Sequence, residues 1–110
     1  MVSPPQKNSN FSQQQAMSTV KGLRNDAHLL NNPKVLEAKR VANVLMQETG
    51  LSPQELKQLG NAAELAIYDK SLYPMFLAKI RELGQEDEQV FGSRMNYGIL
   101  AVLATAAKLV

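Results

Sequence analysis

The 110-residue chain predicts an all-α fold, a small bundle of four to five helices behind an extended polar N-terminal arm. Three observations carry that expectation. Apolar residues recur at helical spacing in successive stretches and nowhere alternate as a half-buried strand would. Polar starts and glycine stops bracket those stretches. The apolar residues are mostly Leu, Val, Ile, Met and Ala, with three Tyr, three Phe and no Trp, a palette that suits packed helices.

Residues 1–11 are polar and contain Pro4-Pro5, so they read as an arm, and residues 12–110 as a single helical domain. Ser12-Gln-Gln-Gln15 matches a capping box, with Ser12 at the N-cap and Gln15 at the third helical position. A first helix is expected from about 13 to 24 with Ala16, Val20 and Leu23 on one stripe, weakened by Gly22. Asn25-Asp26 and Asn31-Asn32-Pro33 are turn chemistry around a short apolar bridge, Ala27 to Leu30. Asn32 can cap a second helix with Pro33 in its first turn. Val35, Ala38, Ala42 and Leu45 form its stripe, widened by Val41 and Met46, and Gly50 stops it. Ser52-Pro53-Gln54-Glu55 starts a third helix with a second capping box. Its buried stripe is Leu56, Leu59, Ala63, Ala66 and Ile67, broken at Asp69-Lys70-Ser71. A fourth helix is expected from Pro74 to Leu83, burying Phe76, Ile80 and Leu83 and stopping at Gly84. Glu86-Asp87-Glu88 suits the N-terminus of a fifth helix, which either continues through Gly92 and Gly98 or breaks near Gly92-Ser93.

The segment Tyr97–Val110 carries one charge, Lys108, and is apolar on almost every side. A helix of that kind must be buried in protein or in lipid. Its fourteen residues rise only about 21 Å against a hydrocarbon core of about 30 Å. Extension back to Phe91 brings in Arg94 and Asn96, so membrane contact by residues 97–110 is the least favoured use. Two uses remain: the hub of a bundle, ringed by the other four helices, or a surface buried against a neighbouring chain. The opening residues lack the apolar stretch of about 7–15 residues that an export signal requires. These features are consistent with the cytoplasm or an assembled particle, and the sequence names no location.

Composition narrows the chemistry. Without Cys there is no disulfide, thiolate metal site or Cys nucleophile. The net charge of +2 is too small to mark a nucleic-acid binder. His28 is the only histidine and cannot form a metal site unaided. Glu37, Glu48, Glu55 and Glu64 fall on polar helix faces, where solvation and pairing one turn away account for them. Ser18-Thr19-Val20-Lys21 matches the Ser-x-x-Lys string of penicillin-binding enzymes by chance, since the companion motifs are missing. No glycine-rich phosphate loop occurs, and Glu86-Asp87-Glu88 lacks the spacing of a calcium loop. The expectation is a protein that is not an enzyme and uses no metal or cofactor.

Two binding roles compete. The favoured one is a non-enzymatic structural or adaptor subunit of a larger assembly, such as a virion or secretion-apparatus component, acting through helix-mediated contacts with other subunits or with itself. Leu36 and Val44 point away from the apolar stripe of the second helix, and Leu65 lies nearly opposite Leu56 on the third. With Phe11 in the arm and Tyr97, Leu100 and Leu103 in the tail, these are the partner-binding candidates. The alternative is DNA binding. Residues 41–61 run helix, tight turn at Thr49-Gly50-Leu51, then capped helix, and this resembles a helix-turn-helix. In that reading Lys57, Gln58 and Asn61 reach base edges, while Arg40, with Lys34 and Lys39, meets phosphates.

Overall fold

A computed structural model describes residues 12–85 and 96–110. Among these residues there are five α-helices and no strand: α1 (Gln13–Asp26), α2 (Pro33–Thr49), α3 (Pro53–Tyr68), α4 (Tyr73–Glu82) and α5 (Tyr97–Ala107). A three-residue 3-10 turn, Lys70–Leu72, joins α3 to α4. The all-α bundle is thus established. Phe11, the arm, and the acidic cluster at 86–88 with Gly92 lie outside the described residues.

The helix boundaries follow local chemistry. Both capping boxes form: Ser12 Oγ accepts from the Gln15 amide while Gln15 Oε1 accepts from the Ser12 amide, and Ser52 and Glu55 repeat the exchange. Asn32 caps α2 by accepting from the Lys34 amide. Gly50 ends α2 in the left-handed region at φ +77°, a conformation other residues adopt at a cost. α1 runs through Gly22 to Asp26, two residues past the expected end at 24. The break at Asp69 is a cap as well as a stop: Asp69 Oδ1 accepts from both the amide and the hydroxyl of Ser71. α4 therefore begins at Tyr73, one residue before the expected Pro74.

α5 starts at Asn96, whose side chain accepts from the amides of Gly98 and Ile99. Gly98 lies inside that first turn and does not break the helix. Leu100, Ala101, Leu103, Ala104, Ala106 and Ala107 are all buried. α5 packs most extensively on α3, with α1 and α2 against other sides, whereas α4 rests on α3. The hub reading holds with one correction: three helices surround α5, and α4 reaches the shared core through Phe76 and Ile80.

The α3–α5 crossing is close because Gly60 has no side chain. A Cβ there would overlap the Cβ of Ala107 and lie 2.8 Å from the Leu103 carbonyl oxygen. Two glutamines tie distant elements together. Gln13 Nε2 donates to the Ile67 carbonyl at 2.8 Å, and Gln85 Nε2 donates to the Thr49 carbonyl at 2.9 Å. Each satisfies a carbonyl at a helix C-terminus that would otherwise lack a partner.

Candidate interaction surface

Two of the partner-binding candidates change role. Leu100 and Leu103 are buried against the chain's own helices, so they are core residues and not contacts for a neighbour. The reason is the close approach at Gly60, which seats that side of α5 on α3. Tyr97 is half-buried and packs on the same core. The residue of α5 that does face outward is Val102, 43% exposed.

The candidates on α2 and α3 behave differently. Leu36 is 53% exposed and Leu65 51% exposed, and Val44 is half-buried on the side of α2 away from Val35. At about 100° per residue, Leu65 shares the outer face of α3 with Lys57, Gln58, Asn61 and Tyr68, all of them exposed. Leu29, Leu30 and Met75 add further exposed apolar side chains. Leu29 and Leu30 sit in the turn between α1 and α2, where the short apolar bridge was the signal that pointed to them.

The residues of the DNA reading are placed less favourably. Arg40 is engaged with Glu37, donating from Nε at 3.1 Å and from a terminal nitrogen at 2.5 Å. The same hydrogen bond is the main cause of the lowered pKa of Glu37 and the raised pKa of Arg40. Lys57, Gln58 and Asn61 are exposed together. However, α2 rests on α5 and lightly on α1, and meets α3 at little more than the connection between them. Close backbone contact between α2 and α3 is slight, although Ala42 of α2 shares a core cluster with Leu56 and Leu59 of α3.

Glu64 departs from its expected surface role. Its side chain is 13% exposed and is held by Arg24 of α1 and by Lys108 just beyond α5, the latter at 2.9 Å. It therefore acts as a tertiary clasp joining α1, α3 and the end of α5, and not as a solvated carboxylate paired along its own helix. The other expected pairing is local: Glu37 with Arg40.

A groove of about 520 Å³ runs between α1 and α2, with Ser18 and Gly22 on one wall, Val35 and Ala38 on the other, and Thr105 at its floor. The hydroxyls of Thr19 and Thr105 donate to carbonyls of their own helices, Gln15 and Ala101, so neither donor is aimed into the groove. Asp26 and Lys34 bring opposite charges to its lining.

Among the described residues no three His, Asp or Glu side chains converge as a metal site would require. His28 is exposed in the turn after α1. No helix among the described residues is long and apolar enough to cross a membrane. No protein-family model, curated protein or solved structure matches this chain.

Proposed function

We propose that this chain is a non-enzymatic structural or adaptor subunit of a larger assembly, such as a virion or secretion-apparatus component, and that it binds its neighbours through the outer faces of α2 and α3. The observation that carries the reading is the contrast between a closed interior and the side chains left outside it. The apolar hub α5 is satisfied within the chain, yet Leu36 and Leu65 remain half exposed on helices whose inner faces are already covered. Single exposed leucines are ordinary on a protein surface. Here they recur on the outer faces of two successive helices, and on α3 Leu65 is accompanied by Tyr68, a residue type enriched at interfaces.

The test is site-specific crosslinking. A photoreactive residue in place of Leu36 or Leu65 is expected to yield covalent species heavier than the 12.1 kDa chain, while the same residue in place of Lys70 yields none. Absence of adducts from both leucine positions in the native setting would overturn the reading. DNA binding is the second reading, and the slight contact between α2 and α3 weighs against it. It would be restored by affinity that falls steeply with salt and is lost on Lys57→Ala.

A further inference from the structure

The outward face of α2 carries charges whose order distinguishes the two directions along the helix. Val44 lies opposite the buried Val35, at about 100° of rotation per residue. Arg40 and Glu48 sit one turn before and one turn after Val44 on that same face, and both are exposed. Leu36 and Val41 flank it. The opposite side of α2 makes the contacts with α5 and α1. Arg40 is held on its helix by Glu37 through Nε and one terminal nitrogen, which leaves further donors of its five-donor fork available.

These positions decide how two such faces can meet. In a parallel pair in register Arg40 faces the partner's Arg40 and Glu48 faces the partner's Glu48, so both matched charges repel. In an antiparallel pair with a two-fold axis at Val44, each Arg40 falls against the partner's Glu48 and the two valines touch at the centre. Sliding one helix by three residues sets Glu37 against the partner's Glu48, a like-charge contact that disfavours that register. A surface complementary to itself under a two-fold is what an isologous contact needs.

We propose that the outer face of α2 pairs with the same face of a second copy of this chain, antiparallel about Val44, with Arg40 and Glu48 exchanged across the contact. The proposal rests on the assembly reading above and names its partner. One helix face covers less than the roughly 800 Å² per partner of a standard interface. The pair is accordingly a small contact, suited to an assembly in which it recurs.

The experiment is sedimentation equilibrium on the purified chain up to about 1 mM. The expected result is a reversible rise from 12.1 kDa toward twice that mass. Arg40→Glu alone and Glu48→Arg alone each weaken association by about tenfold or more, because the two-fold loses both pairs at once. The double variant Arg40→Glu/Glu48→Arg restores it to within about threefold of the native chain. Far-UV circular dichroism shows that each variant keeps its helices, and Glu37→Gln, which removes only the internal partner, leaves association within about twofold. A dimer indifferent to both single charge reversals, or one not rescued by the double variant, overturns this face as the contact. A chain that stays monomeric at the highest concentration overturns the second copy as partner. If crosslinks from Leu65 to a different chain are then still recovered, the assembly reading itself stands.

Discussion

Replacing Gly60 with Ala sets two effects of opposite sign against each other. In an isolated helix Gly→Ala stabilises by about 1 kcal/mol, since alanine loses less backbone freedom. At Gly60 the new Cβ would overlap that of Ala107 and stand 2.8 Å from the Leu103 carbonyl oxygen. That oxygen belongs to the backbone of α5 and cannot rotate aside, so α5 must shift away from α3. The shift loosens Leu100, Leu103 and Ala104, which are buried in the shared core. Overpacking of this kind costs about 1–3 kcal/mol, and the lost contacts along the crossing add to it. The expected net loss is about 2 kcal/mol, a fall in Tm of roughly 8–16 °C for a domain of this size. Gly22 is the internal control, because a Cβ there would meet nothing within 4 Å. Gly22→Ala is expected to stabilise by about 0.5–1 kcal/mol. Thermal and urea unfolding of the two variants beside the native chain read the difference in sign. Adding Ala107→Gly to Gly60→Ala recovers only part of the loss, since the Leu103 carbonyl remains in place. A Gly60→Ala variant as stable as the native chain, or more stable, would refute the close crossing.

Three further outcomes can be checked in the same unfolding assays. Ser52→Ala removes the side-chain half of the α3 capping box and is expected to lower stability by about 1 kcal/mol; no change would show that α3 is held by tertiary contacts alone. A double-mutant cycle between Glu64→Gln and Lys108→Met is expected to give a coupling of about 1 kcal/mol, as befits a mostly buried carboxylate held by two partly exposed cations; zero coupling would reduce the clasp to coincidence. The Asp69 carboxyl is held below its ordinary pKa by the Ser71 hydroxyl first and the Ser71 amide second. Its folded value lies below its unfolded one, so its contribution is complete above the unfolded pKa and is lost as pH falls through the folded one. Melting curves from neutral pH into acid should therefore decline less steeply for Asp69→Ala than for the native chain, and an identical slope would remove Asp69 from the account.

What could be read from the residues alone was what depends on neighbours in sequence. Ser12 with Gln15, Ser52 with Glu55, and Asn32 with Pro33 each specify a helix start within four residues, and all three form. The stripes Ala16-Val20-Leu23 and Leu56-Leu59-Ala63-Ala66-Ile67 are buried throughout because periodicity reports which face is inside. Which partner covers that face is another matter. Gly60 gives no signal within its own helix, since its meaning comes from Ala107 on another helix. Glu64 looked solvated because Arg24 and Lys108 are distant in the chain. The change of role for Leu100 and Leu103 has the same origin: a wholly apolar helix must be covered, and composition does not say by which chain. The outward positions of Leu36 and Leu65 were legible, as an apolar residue opposite a buried stripe has nowhere else to point.

The position of α5 within its surroundings also sets an order of events during synthesis. The contacts that seat it span long stretches of chain, 44 residues from Lys108 to Glu64. While the ribosome is still making residues 97–107, α1 and α2 lack the helix that takes the larger share of their contacts. α3 and α4 can pair in the meantime. The nascent chain therefore displays Val20, Leu23, Val35 and Ala42 to water, or to a holding chaperone, until one late helix arrives and closes all three contacts together. Folding then proceeds as a single late step with a large loop to close, slower than the helical content alone would suggest.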